Sequence, residues 1–161
     1  EIICLQKLGW DERKNHVLFP ANPERPEKDF ALAQQSIKLL GKDIDIHVFK
    51  DVGHSDTVLY YNAADVVLLT SKWEGSPNVI KEALACCRPI VSTNVGDVKE
   101  RMSGVAGCYV AETREPDELA GLLKRALDFE GPTNGRDAIV SDKLDSRQIA
   151  EKIINIYKNT I

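Results

Sequence analysis

The pattern of apolar runs along this chain predicts an α/β fold, a three-layer αβα sandwich around a parallel sheet. Three observations carry that expectation. Short aliphatic runs such as Val17-Leu18-Phe19 and Val66-Val67-Leu68-Leu69 recur along the sequence, and near-continuous apolar strands belong to parallel sheets buried on both faces. The segments between them place apolar residues at helical spacing, so each has one face for the sheet. Glycine and proline gather at the junctions, as in Gly41 and in the loop from Ala21 to Lys28. At 161 residues the chain is sized for one domain that buries roughly 68–70% of its unfolded surface.

Taken in order, residues 2–7 read as a short helix ended by Gly9, within a lead-in segment (1–15) from a preceding domain. Residues 17–20 form the first strand. After the Pro-rich loop, Asp29 opens a helix that runs through Leu40 and is closed by Gly41. A strand at 44–49, a helix at 56–63 and a strand at 66–70 follow. A helix after Pro77, a strand at 90–92, a short helix at 97–102 and a strand at 108–110 come next. An amphipathic helix at 116–129 ends the alternation. Residues 131–135 read as a surface turn cluster, which separates the core domain (16–140) from a C-terminal helical segment (141–161) with its helix near 145–158. The stripe Ile149, Ile153, Tyr157 on that helix either covers the sheet or crosses to the preceding domain. Right-handed crossovers put every strand-to-helix loop at one sheet edge, where ligands of open α/β sheets bind.

The junction after the third strand is the richest of those loops. In Glu74-Gly75-Ser76-Pro77-Asn78-Val79, Ser76 reads as an N-cap and Pro77 as the first helical residue, whose missing N–H costs nothing there. The unpaired amides of that first turn, with the positive end of the helix dipole, suit an anion such as phosphate. Ile80, Ala83, Leu84 and Cys87 recur at helical spacing and are assigned to the sheet. Glu82, about 200° round from Ile80, then faces away, with its carboxylate leaning toward the helix N-terminus. A carboxylate beside a phosphate needs hydrogen-bond donors, and a ribose diol supplies two. An ordinary surface glutamate fits the same pattern; the anion site and the companion Glu74 favour the functional reading.

Composition excludes several classes. A net charge of −4 gives no basic face for nucleic acid. No apolar run reaches 18 residues, so nothing spans a membrane. The four cysteines lack paired ligand spacing, Cys86 and Cys87 being adjacent on a helix, so no metal site is expected. Their use as small free thiols points to a reducing cytoplasm. His16, His47 and His54 read as core or surface residues. The start at Glu1, without Met or leader, reads as a fragment.

Residues 71–93, SKWEGSPNVIKEALACCRPIVST, resemble the donor-site signature of the family 4 (group 1) glycosyltransferases, which have the GT-B fold. In that family two glutamates are separated by seven residues, as Glu74 and Glu82 are. The resemblance extends from about Val17 to Tyr157 and implies the Rossmann-like C-terminal half of a GT-B enzyme. The implied function is donor binding in a retaining enzyme that moves a sugar from a nucleotide-diphosphate sugar to a hydroxyl acceptor, in polysaccharide or glycoconjugate biosynthesis. By the same resemblance Glu74 touches the sugar, Glu82 the ribose, and the backbone from Gly75 through Ser76, Pro77, Asn78 and Val79 the sugar and diphosphate. Lys28 matches the family lysine that clamps the diphosphate, and Arg25 stands in for a family arginine whose position Asn22 occupies. No cofactor or metal is implied. The implied partners are the nucleotide-sugar donor and a missing N-terminal acceptor-binding domain, without which the fragment is inactive. A cytoplasmic enzyme at the inner face of the membrane, associated through that missing domain, is the implied setting. Two departures stand out: the span from Ile46 to Asn62 is short for the family's extra strands, and the loop 93–97 carries only Gly96 where the family has paired glycines. Trp73 reads as packing beside the strand end or, alternatively, as stacking on a ligand, and Glu100 as a structural contact. The alternatives are a GT-B nucleotide-sugar epimerase, a non-catalytic nucleotide-sugar-binding module, and a generic flavodoxin-like module.

Overall fold

Five strands, β1 (Asn15–Phe19), β2 (Ile44–Val48), β3 (Val66–Leu69), β4 (Ile90–Thr93) and β5 (Cys108–Ala111), form in the computed structural model, which describes residues 2–160. They pair in parallel in the order β2-β1-β3-β4-β5. Register is set by pairs such as Val17 with Ile46 and with Val66, and Leu68 with Val91. Because side chains alternate across a strand, β1 and β3 feed two cores. Leu18, Val67 and Leu69 join one, and Val17, Phe19, Val66 and Leu68 the other.

The helices cover these two faces. On the first lie α3 (Thr57–Ala63), α4 (Asn78–Ala85), α5 (Val98–Arg101) and α7 (Gly135–Ser141), through Tyr61, Ile80, Leu84, Val98 and Ile139. On the second lie α2 (Phe30–Lys38) and α6 (Pro116–Leu127), through Leu32, Ile37, Leu119 and Leu123. Leu119 and Leu123 are fully buried, and burying one such side chain contributes about 1.5–3 kcal/mol. α6 is well specified: Pro116 sits at its first position, Asp117 and Glu118 in its first turn, and Lys124 and Arg125 in its last, an arrangement that matches the helix dipole. The N-terminal helix α1 (Ile2–Leu8) rests on α3 and ends at Gly9, which has φ +68°.

Most expected elements are present, with ends displaced by a residue or two, and the three-layer αβα sandwich with a parallel sheet is the fold. Two local expectations need correction. Residues 131–135 are not a free surface turn: Thr133 is buried and its amide donates to the Cys87 carbonyl. Gly135 begins α7, where a Cβ would come within 2.7 Å of the Leu84 carbonyl oxygen. Cys87 lies beyond α4 in left-handed backbone (φ +55°), so it is not part of the helix face. Of the two readings left open for the stripe on the C-terminal helix α8 (Ser146–Thr160), cover of the sheet is not the one seen: Ile149, Ile153, Ile154, Ile156 and Tyr157 are exposed. Between β2 and β3 only α3 is formed among the described residues.

Between β1 and the edge strand β2, His16 is buried and its Nδ1 lies 3.0 Å from His47 Nε2. Trp10 stacks on the His47 ring with centroids 3.4 Å apart. Both histidines are packing residues, as expected. Burial, and then the charge of His16, push the His47 pKa down from 6.5 to about 4.

Candidate functional site

The strand order reverses at β1, which pairs with β2 on one side and β3 on the other. In open α/β sheets this switch point opens a crevice at the carboxyl ends of the strands. The two loops that flank it are β1–α2, carrying Arg25 and Lys28, and β3–α4, carrying residues 70–77. Backbone and hydroxyl bonds lace them together. Lys72 donates its amide to the Glu27 carbonyl at 2.8 Å, and Thr70 Oγ1 donates to the carbonyls of Lys28 and Asp29 at 2.9 Å each. Asn22 turns the first loop by accepting the Glu24 amide on its side chain at 2.9 Å, and a short 3-10 turn, Pro26–Lys28, delivers the lysine.

Lys28 and Glu74 meet across the crevice. Nζ and Oε1 are 2.5 Å apart, and the two side chains are 10% and 16% exposed. Ser71 Oγ donates to the same Oε1 at 2.8 Å. A half-fixed, largely desolvated ion pair at a ligand edge holds a cation for an anionic group and an acceptor for hydroxyls, each restraining the other. Arg25 points elsewhere: it is exposed and its guanidinium pairs with Glu27 Oε1 at 2.5 Å. The structure thus joins Lys28 with Glu74 and leaves Arg25 outside that contact.

The signature helix starts one residue later than expected. Pro77, in extended backbone (ψ 121°), is the N-cap of α4, with no side-chain cap. Ser76 is not the cap, because its hydroxyl donates to Asp97 Oδ2 at 2.7 Å. Asp97 also accepts from Arg101 Nε at 2.9 Å. Burial raises the Asp97 pKa, but the Ser76 and Arg101 hydrogen bonds and the Arg101 charge outweigh it and hold the carboxyl below its ordinary value. The leading amides of α4, from Asn78 and Val79, have no intrahelical acceptor by geometry. Gly96 explains the single glycine of the loop before α5: at φ +54°, a Cβ there would stand 2.0 Å from the Gly75 carbonyl oxygen, and the Asp97 amide donates to that same oxygen at 3.1 Å. This loop braces the turn at Gly75 from below.

Glu82 is half-buried on α4, and its Oε2 accepts a hydrogen bond from Tyr61 Oη at 2.8 Å. Ile80, Ala83 and Leu84 pack inward as the helical spacing predicts. Trp73 contradicts the packing reading, being 65% exposed beside Glu74.

Several site groups escaped the sequence. Lys81 brings Nζ to 3.4 Å from Asn78 Oδ1 and 3.5 Å from the Ser76 carbonyl. Arg114, from the loop after β5, donates to the carbonyls of Ser71 at 2.7 Å and Thr70 at 3.0 Å and pairs with Asp29 at 2.6 Å. Its position just past a strand end, at the expected ligand edge, was the available signal. Tyr61 carried none beyond an apolar helix position. A cavity of about 460 Å³ opens at the other edge, between residues that precede β3 and β4, including Asp65 and Pro89; the charged constellation lies away from it. Among the described residues no cluster of three or more His, Cys, Asp or Glu could hold a metal, and no helix is long and apolar enough to cross a membrane.

Comparison with known proteins agrees with the resemblance seen in the signature. The family model for group 1 glycosyl transferases matches residues 21–129. The lipopolysaccharide glucosyltransferase WaaG of Escherichia coli K12 is 28% identical over 127 residues, covering 78% of this chain and 32% of WaaG. A glycosyltransferase structure from Rickettsia africae ESF-5 superposes with a TM-score of 0.80 at 14% identity, over 98% of this chain and 51% of that one. A sucrose-phosphate synthase from Thermosynechococcus elongatus gives 0.73 at 17% identity, over 99% and 49%. The chain therefore spans about a third of WaaG and about half of each of these solved chains. Since the matched residues take in Lys28, Glu74 and Glu82 and more than half of the sequence, the chain belongs to the group 1 glycosyltransferase family.

Proposed function

We propose that this chain is the donor-binding half of a retaining glycosyltransferase, which uses a nucleotide-diphosphate sugar and transfers its sugar to a hydroxyl of an acceptor. The observation that carries the reading is the Lys28–Glu74 contact across the switch-point loops. It brings an ammonium and a carboxylate within hydrogen-bond distance of each other, a pairing suited to a diphosphate and to sugar hydroxyls. Lys28 and the leading amides of α4, at Asn78 and Val79, hold the diphosphate, and Arg25 reaches it on leaving Glu27. Glu74 takes the sugar hydroxyls, Glu82 the ribose diol. Gly75, Ser76 and Pro77 line the turn between them.

In the reaction, the bond from the anomeric carbon to the diphosphate oxygen breaks and the acceptor oxygen attaches on the same face. The leaving phosphate takes the acceptor's proton. What the protein supplies is stabilisation of negative charge on the departing diphosphate, which a lysine and oriented amides provide without a metal ion. The acceptor and the exclusion of water come from an N-terminal domain that docks over the crevice. The kinship with WaaG, a lipopolysaccharide glucosyltransferase, supports a role in glycoconjugate or polysaccharide assembly.

The test is titration of the chain with nucleoside diphosphates and nucleotide-sugars, followed by amide NMR, with and without EDTA. Shifts confined to the two switch-point loops and α4, unchanged by EDTA, are expected. Sugar transfer should be absent in this chain and appear when the N-terminal half is restored. Loss of binding on chelation, or transfer by this chain alone, refutes the reading.

A further inference from the structure

Tyr61 has an aromatic ring that any phenylalanine could replace in packing. It is 1% exposed, and it sits in the core with Leu18, Val67, Leu69 and Ile80. Phe49 meets it edge to face, with centroids 5.7 Å apart and planes at 85°. The ring is thus locked on α3, a helix that carries none of the signature. What phenylalanine would lack is the hydroxyl, which a buried site tolerates only with a partner. That partner is Glu82 Oε2 at 2.8 Å, with the Val79 carbonyl a longer contact at 3.5 Å. Burial first, and then the neighbouring Glu82 charge, push the phenol's pKa up, so the group stays a hydrogen-bond donor at every working pH.

A glutamate that must accept two hydroxyls from one diol needs its carboxylate plane fixed. Three rotatable bonds separate it from the helix, and α4 alone does not fix it. The phenol occupies one lone pair of Oε2 and ties that oxygen to the sheet's core. Oε1 and the remaining lone pair of Oε2 are left for a ligand, since a carboxylate offers about four acceptor sites. We propose that Tyr61 is a positioning residue: it preorganises Glu82 for the ribose diol and so favours ribonucleotides over nucleotides that lack those hydroxyls. This rests on the assignment of Glu82 to ribose in the function proposed above. The cost of ordering the carboxylate is met on folding rather than on binding, which is how preorganisation raises affinity.

The experiment measures affinities of wild type, Tyr61→Phe, Glu82→Ala and the double variant by isothermal titration. The probes are UDP, GDP and ADP, and then the 2′,3′-dideoxy form of whichever binds tightest. Thermal melting checks that each variant is folded. Tyr61→Phe should lose about three- to tenfold in affinity for the ribonucleotide, the range of one hydrogen bond, and nothing for the dideoxy form. In the Glu82→Ala background the same change should have no further effect. Equal losses for both ligands would make Tyr61 a packing residue and overturn the proposal. So would an unchanged Tyr61→Phe beside an impaired Glu82→Ala, which leaves the ribose assignment of Glu82 standing. If Glu82→Ala itself keeps full preference for the ribonucleotide, the ribose assignment falls and the positioning role falls with it.

Discussion

Glu74 and Glu82 stand at the two ends of one short segment, yet their surroundings differ in kind. Glu74 is held by a charge, the Lys28 ammonium, with a serine hydroxyl beside it. Glu82 is held by a neutral phenol fixed in the core. A charged partner that is itself a binding group must be taken away or shared when ligand arrives. A neutral partner outside the site stays where it is. The first corner is self-neutralised and must rearrange; the second is preformed.

The most damaging way to break this contrast is Lys28→Met. It leaves the Glu74 carboxylate largely buried without its cation, and removing one partner of a buried pair costs about 3–5 kcal/mol. The remaining Ser71 hydrogen bond places the expected loss at the low end. Urea denaturation should register it, and adding Glu74→Met should restore much of it. Nucleoside diphosphate affinity should fall by about 1.5–3 kcal/mol, the range for a bond to a charged group. A variant as stable as wild type would show that the pair is not desolvated as the structure has it.

A smaller and more diagnostic effect is expected for Glu74→Gln. A bare diphosphate has to win Lys28 from Glu74 and then lie beside an uncompensated carboxylate, whereas a nucleotide-sugar brings hydroxyls for that carboxylate. The amide variant should therefore bind the bare diphosphate about three- to tenfold more tightly, roughly one modest interaction, and the nucleotide-sugar more weakly. Calorimetric titration of both ligands decides it, since a shift in the same direction for both contradicts the self-neutralised corner.

The mildest test defines where the comparison can be made. His47 has its pKa depressed from 6.5 to about 4 by burial and by His16. Between those values the unfolded chain takes up a proton that the folded chain does not, so folding stability falls as pH drops from 6.5 towards 4 and levels below it. Melting temperatures across that range should decline, and His47→Asn should flatten the slope. Affinities at the two carboxylates are best compared above this window.

β3 was readable because a parallel strand buried on both faces is an uninterrupted aliphatic run. The edge strand β2, Ile44-Asp45-Ile46-His47-Val48, is instead half-buried and was read from its alternating apolar residues. Ile80, Ala83 and Leu84 were readable for the same reason, periodicity. What escaped was set by distant neighbours. Ser76 has the chemistry of a cap, but Asp97, brought alongside by the Gly96 loop, takes its hydroxyl. Gly135 looked like a turn signal, yet it is a helix start where the Leu84 backbone leaves no room for a Cβ. Glu74 was singled out through the family signature and Lys28 through the wider resemblance, but their mutual contact joins positions 46 apart in sequence and exists only once the sheet is ordered. Tyr61 is indistinguishable in sequence from a core aromatic, because its hydroxyl is assigned by what α4 brings to it.

The two tryptophans occupy opposite environments. Trp10 lies half-buried and stacked face to face on an imidazole, while Trp73 is exposed next to Glu74. Indole emission moves to longer wavelength as its surroundings become more polar, so the long-wavelength side of this chain's fluorescence belongs chiefly to the residue at the crevice. The protein thus carries a built-in optical gauge of its β3–α4 loop, readable in a cuvette without any attached dye.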